Sequence, residues 1–443
     1  MLYHDITELI GDTPLLKLDA RVHGLDHVEL YAKLELFNPF GSVKDRVAWA
    51  MVEDDLADVA GNGRTLIEAS SGNTAKALQV LAAMRGTRLR AYTNRVRVNE
   101  VRDVLHLLGA DVRELPGLSE CPDPTAPHDV FSTIENVMAG DPGAYYHPSQ
   151  YTNPKNLDAH YRGTGKEIYD DIGPVDYLFG GLGTTGSTRG AATYLQERNP
   201  GMRTIGVVSS RSDFIPGIRS EAELWDVGLF QPDFYLEIVP VESAAAIDGT
   251  LELATAHGVL AGPTSGATYA AALDRLGRHA EVAGRPVKAV IIICDRLESY
   301  LSYVKKRRPD LFGRAAGGSV RDLAPEALDD VPEISPDELE ALDGHHGILK
   351  IDTRGGMAYR IGHVPGSINI RDDHLEDMLG QGVPFPASVR LVFICPVGEY
   401  SKRLAAFTRQ AGCDATSLAG GVVAWRDAGK RLEVGARVPP RDR

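Results

Sequence analysis

Four short stretches of the chain carry residues able to do chemistry. Asn38-Pro39-Phe40-Gly41-Ser42-Val43-Lys44-Asp45-Arg46 holds one lysine in a turn punctuated by Pro39 and Gly41. Lys44 there is either a solvated surface cation or a positioned amine that can lose its proton and form a Schiff base with an aldehyde. Ser70-Ser71-Gly72-Asn73-Thr74 separates an apolar run from a helical pattern. Its hydroxyls, amide and free backbone N–H groups make either a plain helix cap or a site for a carboxylate. Gly183-Thr184-Thr185-Gly186-Ser187 repeats that arrangement with more glycine. It reads as a tight turn, or as a cradle in which backbone N–H groups and the hydroxyls of Thr184, Thr185 and Ser187 hold a phosphate. No Gly-Lys-Ser/Thr follows, so it is not a P-loop, and it is not the GxGxxG dinucleotide pattern. The fourth stretch is Cys395-Pro396-Val397-Gly398-Glu399-Tyr400-Ser401, between a buried strand and a helix. Converging N–H groups and a helix N-terminus there would favour a thiolate or a persulfide on Cys395.

Alternating strands and helices must position these groups. A helix is expected over 47–56, directly after the lysine turn. Strands are expected over 65–69, 89–93, 177–179, 205–208 and 289–293, and helices over 75–84, 100–108 and 189–197. That alternation argues for a parallel sheet covered by helices. Residues 116–129, rich in Pro, Asp and Ser, read as a loop. From 309 to about 336 Gly, Ala, Asp and Pro dominate and no period persists, which marks a linker. A second, smaller α/β pattern starts at Ser335, with helices over 337–342 and 401–410 and strands over 348–351, 391–394 and 416–418. The expected division is a catalytic domain over 1–308, a linker over 309–334 and a small domain over 335–443.

Composition narrows the function classes. The chain has 443 residues, 43% hydrophobic and 24% charged, with a net charge of -14. That is ample for two or three domains and leaves no basic footprint for nucleic acid. The one dense basic run, Lys305-Lys306-Arg307-Arg308, reads as the cationic end of a helix. No apolar stretch is long enough for a membrane span and no signal peptide is visible. The cysteines, Cys121, Cys294, Cys395 and Cys413, form no CxxC pair and no zinc spacing, so no metal site is expected. Reduced thiols in a cytoplasm are the corresponding expectation.

Taken together and in order, the motifs resemble the cysteine synthase / cystathionine β-synthase family, pyridoxal-phosphate (PLP) enzymes of fold type II. The resemblance covers roughly residues 3–305. It is carried by Ile10-Gly11-Asp12-Thr13-Pro14-Leu15, Ser42-Val43-Lys44-Asp45-Arg46, Ser70 to Thr74, Gln150-Tyr151-Thr152-Asn153-Pro154, Gly183 to Ser187, and Thr264-Ser265-Gly266-Ala267. It implies a two-lobed α/β fold like the tryptophan synthase β-subunit, with pyridoxal 5'-phosphate as cofactor and a homodimer as the assembly. It implies that Lys44 holds PLP as a Schiff base and then acts as base at the substrate Cα. It implies that Asn73 bonds the cofactor's phenolic oxygen and that Gly183, Thr184, Thr185, Gly186 and Ser187 bind its phosphate. Ser265 lies in a motif that lines the cofactor pocket, and Ser70, Ser71, Thr74 and Gln150 would hold the substrate carboxylate. Two departures stand out. Where the family places a small hydroxyl residue against the pyridine nitrogen, this chain has Asp295, with Cys294 adjacent. In Pro216-Gly217-Ile218-Arg219, an arginine stands where O-acetylserine enzymes have glycine; this resembles members that use O-phosphoserine. Arg219 is thus either a grip on a leaving phosphate or a surface arginine.

Residues 335–440 resemble a single-domain rhodanese, through Asp352-Thr353-Arg354, Gly362-His363-Val364-Pro365-Gly366-Ser367-Ile368-Asn369, the Cys395 loop, and Leu418-Ala419-Gly420-Gly421-Val422-Val423-Ala424-Trp425. This implies a persulfide on Cys395. Tyr400 stands where the loop commonly has arginine, which bears on the choice of sulfur donor. The combined expectation is β-replacement on an activated serine, O-phosphoserine first and O-acetylserine second. It makes cysteine or an S-substituted relative, with sulfur carried on Cys395 and a sulfur-carrier protein as a further partner. Condensation of serine with homocysteine, a cysteine lyase passing sulfur outward, and a non-catalytic sensing or docking role for the small domain remain open at this level.

Overall fold

Five of the seven residues of Val287–Ile293 are β-branched, and the run forms a strand buried on both faces. In the computed structural model it is central to a six-stranded sheet. The order is Leu15–Lys17, Val28–Leu34, Val287–Ile293, Tyr177–Gly181, Arg203–Ser209, Glu237–Val241. Each adjacent pair is parallel except the first. A four-stranded sheet is built around Thr65–Ala69, which runs parallel to Leu89–Thr93 and to Tyr145–Tyr146. Parallel neighbours need crossovers, and helices supply them: Asn73–Met84 between Thr65–Ala69 and Leu89–Thr93, Gly186–Arg198 between Tyr177–Gly181 and Arg203–Ser209. Both anion-type loops therefore lie where a parallel strand ends and a helix begins, the place where such sheets present free N–H groups. The structure is described for residues 1–93, 98–115, 130–211, 213–220, 223–224, 227–279, 285–312, 320, 323, 326–342, 344, 347–380, 383–386 and 388–434. The loop expected over 116–129, with Cys121, lies outside the described residues.

The chain divides into two units, residues 1–113 with 133–308 and residues 114–132 with 309–443. In the first, the helix after the lysine turn differs from expectation. It starts at Lys44 itself and ends at Val52, and Leu56–Gly61 is a separate helix. The helix thus begins three residues before the apolar period, and Ser42 Oγ, just ahead of it, accepts the Lys44 N–H at 3.2 Å. Glu53-Asp54-Asp55 then puts three acids where helix carbonyls already concentrate negative charge.

A buried ion network locks this helix to the sheet. Arg46 Nε donates to Glu35 at 2.7 Å and Arg46 Nη1 to Glu167 at 2.6 Å, while Lys33 pairs with Glu167 at 2.7 Å. Thr13 Oγ1 donates to Glu35 at 2.9 Å, and the Gly11 N–H to Asn38 Oδ1 at 2.9 Å. The segment around Gly11–Thr13 and the lysine turn are thus parts of one polar cluster. Burial pushes the Glu167 carboxyl up, but the hydrogen bond and charge of Arg46 and the Lys33 ammonium outweigh it and bring the group down to about 2.

The second unit contains a five-stranded parallel sheet, ordered Glu333–Ile334, Ala415–Leu418, Arg390–Ile394, Ile348–Asp352, Ile368–Asn369. Glu333–Ile334, in the stretch read as linker, is an edge strand of this sheet, and Glu326–Asp329 is a short helix. Residues 313–319, 321–322 and 324–325 of that stretch lie outside the described residues. Ser335 caps the helix Pro336–Ala341 with a reciprocal Ser335/Glu338 capping box. No helix among the described residues is long and apolar enough to cross a membrane.

Candidate active sites

A cavity of about 190 Å³ opens in the first unit. Its wall brings together Lys44, Ser70, Ser71, Asn73, Thr74, Gln150, Gly183, Thr184, Ser187, Arg219 and Asp295, residues that come from six separate parts of the sequence. Three expected members are not on that wall. Thr185 has a positive φ of 66° and donates its hydroxyl to the Leu229 carbonyl at 3.2 Å. Ser265 sits one layer behind, where its Oγ accepts the Cys294 N–H at 2.9 Å. Gly186 starts the helix Gly186–Arg198 and faces Asn156; a Cβ there would lie 1.9 Å from Asn156 Oδ1.

The carboxylate-type wall is internally braced. Thr74 Oγ1 donates to Gln150 Oε1 at 2.7 Å, Gln150 Nε2 donates to the Ala69 carbonyl at 2.9 Å, and Ser70 Oγ accepts the Ala75 N–H at 3.2 Å. Across the cavity, Gly183 must be glycine because a Cβ would come within 2.7 Å of the Gly217 carbonyl. This close approach brings Gly217-Ile218-Arg219 beside the glycine loop. Arg219 is itself positioned: Nη1 donates to the Glu223 carbonyl at 3.0 Å and the guanidinium lies 5.1 Å from the Tyr151 ring centroid. Beside Thr74, Asn73 Nδ2 donates to Asp295 Oδ2 at 2.6 Å and approaches the Tyr300 hydroxyl at 3.2 Å, and that hydroxyl also donates to Asp295. Burial raises the Asp295 carboxyl above its ordinary range, with the Tyr300 hydrogen bond opposing. Burial pushes the Cys294 thiol up to about 12, so beside Lys44 it is a neutral wall group.

These residues fit a pyridoxal-phosphate group. A lysine amine lines the cavity, and a helix N-terminus with Thr184 and Ser187 offers donors for a phosphate. Asp295 Oδ1 and Asn73 Oδ1 are buried oxygens without a protein partner. Buried acceptors of this kind call for a donor, and a protonated ring nitrogen is one. Tyr300 and Tyr151 were not among the residues singled out from the sequence. Tyr151 falls inside the Gln150 to Pro154 motif, and Tyr300 lies five residues after Asp295.

In the second unit, Cys395 follows the strand Arg390–Ile394 and precedes the helix Glu399–Gln410. Its Sγ accepts from the Gly398 N–H at 3.1 Å, the Ser401 N–H at 3.4 Å and the Ser401 hydroxyl at 3.2 Å. Gly398 takes a φ of 88°, and the next loop closes on the same residue: Val422 N–H donates to the Cys395 carbonyl at 3.0 Å. The Tyr400 hydroxyl donates to Glu376. Arg354 is buried against Asp352 at 2.7 Å and donates to the Gly362 carbonyl at 2.6 Å, which ties two of the motif stretches together. Among the described residues no group of three or more His, Cys, Asp or Glu is placed to hold a metal ion.

Comparison with known proteins follows the same division. The family model described as pyridoxal-phosphate dependent enzyme matches residues 6–295, and that of the rhodanese-like domain matches residues 335–428. The N-(2-amino-2-carboxyethyl)-L-glutamate synthase of Ralstonia nicotianae is 31% identical over 335 residues, covering 73% of this chain and 97% of the relative. Cysteine synthase B of Pseudomonas aeruginosa is 33% identical over 304 residues, covering 68% of this chain and 96% of the relative. The crystal structure of cysteine synthase from Entamoeba histolytica superposes with a TM-score of 0.59 at 29% identity, covering 69% of this chain and 90% of that one.

Proposed function

Because the chain belongs to the pyridoxal-phosphate dependent enzyme family and carries a rhodanese-like domain behind it, we propose that it replaces the β-substituent of an activated serine, O-phosphoserine before O-acetylserine, with a sulfur nucleophile. The catalytic domain spans residues 1–308 and the sulfur-handling domain 335–443 in this reading. The bound cofactor supplies the electron sink that makes the substrate Cα acidic. Lys44 takes the Cα proton from its station at the head of the helix Lys44–Val52. Ser70, Ser71, Thr74 and Gln150 orient the substrate carboxylate, and Gly183, Thr184, Thr185, Gly186 and Ser187 hold the cofactor phosphate. Asn73 and Asp295 address the cofactor ring, with Ser265 supporting the strand end behind Cys294. The Cβ–O bond breaks, the leaving group departs with its electron pair, and a Cβ–S bond forms. The Cys395 thiolate takes sulfane sulfur from a persulfide donor, whose S–S bond breaks to leave a thiol, and two reducing thiols release it as sulfide and end as a disulfide. The homodimer, the cytoplasmic setting and a sulfur-carrier protein as a further partner belong to the same reading.

The observation that supports O-phosphoserine is Arg219, a guanidinium on the wall of the cavity that also holds Lys44, braced by Glu223 and Tyr151. A fork of this kind can hold a phosphate dianion through two charge-assisted hydrogen bonds, whereas a neutral acetyl ester offers it one uncharged carbonyl. Arg219→Ala should raise the KM for O-phosphoserine by about 10- to 100-fold, the worth of a charge-assisted hydrogen bond, and leave that for O-acetylserine within about threefold. Steady-state kinetics with both substrates checks this; equal losses for the two would remove Arg219 from leaving-group binding. The name of the Ralstonia relative favours a second reading, in which a nitrogen nucleophile takes the place of sulfur. Mass spectrometry of the product separates the two.

A further inference from the structure

One side chain joins the two walls that would hold the anions. Asn156 lies in the short helix Lys155–Ala159 and is fully buried. Its Nδ2 donates to the Gln150 carbonyl at 2.7 Å and to Thr184 Oγ1 at 3.0 Å. Gln150 belongs to the carboxylate-type wall through Thr74 and Ala69, and Thr184 to the glycine loop ahead of the helix Gly186–Arg198. The N–H of Gln150 is held from the other side, by the buried Glu68 carboxylate at 3.2 Å. The backbone on both sides of the Gln150 side chain is thus fixed, once by Glu68 and once by Asn156.

The fold accommodates this amide at a cost. Asn156 Oδ1 is buried without a partner, and position 186 must be glycine to leave it room. A leucine there would bury no unpaired oxygen of its own, though it is larger and would need the same glycine at 186. What the amide does that leucine would not is donate two N–H groups in two directions. We propose that Asn156 is a positioning residue that couples the substrate-carboxylate wall to the cofactor-phosphate wall; this rests on the roles given above to Gln150 and Thr184. Asparagine is the side chain that serves here because both partners are oxygens and both must be met by a donor from one planar group. Aspartate has the same shape and no N–H. It would face the Gln150 carbonyl with like charge, would only accept from Thr184, and would bring a negative charge next to the phosphate loop.

Asn156→Asp, Thr184→Val and Gln150→Ala are compared in the full-length enzyme. The readouts are cofactor affinity of the apoenzyme by absorbance titration, KM and kcat for O-phosphoserine and O-acetylserine, and thermal melting of the apoenzyme. Two lost donor bonds and an added charge should weaken cofactor binding about tenfold or more. The KM for both amino acids should rise by a similar factor, with kcat changing less than about threefold. Thr184→Val should move cofactor affinity alone, and Gln150→Ala should move KM alone. Asn156→Ser, which buries no charge, should show the Asp pattern in smaller measure and covers the case in which the aspartate variant does not fold. If the position-156 variants shift one parameter alone, or the melting temperature alone, while the two controls behave as expected, the coupling is overturned and the roles of Gln150 and Thr184 stand. If the controls leave cofactor affinity and KM unchanged, those roles fail and the coupling falls with them.

Discussion

Lys44→Ala is expected to lower turnover of activated serine by at least about 10³-fold, the range lost when a positioned general base is removed. The same substitution should release the cofactor on gel filtration, since the amine that would hold it covalently is gone. The fold should survive. Alanine is the best helix former, the Ser42 Oγ bond uses the backbone N–H of residue 44, and the anchorage of the helix Lys44–Val52 comes from Arg46. An unchanged melting temperature of the apoenzyme would therefore accompany the lost turnover. Small primary amines added at millimolar concentration should restore part of the rate by standing in as base. The three measurements together separate a chemical role from a structural one. A variant that kept its cofactor and most of its turnover would return Lys44 to the status of a surface cation.

Cys395→Ser should reduce sulfane-sulfur uptake from every donor to background while leaving β-replacement with free sulfide unchanged. The hydroxyl occupies the same space beneath the Gly398 and Ser401 N–H groups but offers no thiolate to attack a sulfur donor. Cyanolysis of the loaded protein and product formation with persulfide donors provide the two readouts. Loss of cyanolysable sulfur with product formation intact would make the small domain a sensor or docking module. Intact product formation together with intact cyanolysis would take Cys395 out of sulfur chemistry. The Tyr400–Glu376 hydrogen bond gives this loop an acidic neighbour where an arginine is common. Thiosulfate, a dianion, should accordingly be a poorer donor than an organic persulfide.

Much of this molecule is legible from residue order because its parallel strands are mostly apolar and end in loops of small, polar residues. Thr65–Ala69 runs into Ser70-Ser71-Gly72, Tyr177–Gly181 into Leu182-Gly183-Thr184, and Arg390–Ile394 into Cys395. In each case apolarity marks the strand, and the loop at its end carries the chemistry. The start of the Lys44 helix is less legible, since it lies three residues ahead of the apolar period. Lys33, Glu35 and Arg46 are buried, yet charged residues read as surface by default. Their burial is compensated by partners 11 to 134 positions away in the chain, which no local pattern reveals. Gly186 carried a signal whose cause lay elsewhere: it reads as a glycine for close approach to an anion, and in the fold it makes room for Asn156. Tyr300 completes the Asp295–Asn73 cluster from a 3-10 turn, where an aromatic residue looks like ordinary core.

The central claim is replacement at the β-carbon of an activated serine, and leaving-group release from the wild-type holoenzyme tests it most directly. Phosphate, acetate or sulfide release is followed with O-phosphoserine, O-acetylserine, serine and cysteine, each with and without added sulfide, alongside the cofactor's visible absorbance and the identity of the product. Rapid phosphate release from O-phosphoserine is expected, with slower acetate release from O-acetylserine and a spectral change with both that sulfide reverses as cysteine appears. Serine with homocysteine should be inert. A spectral change and sulfide release with cysteine alone, and none with either activated serine, would contradict it and make the enzyme a lyase.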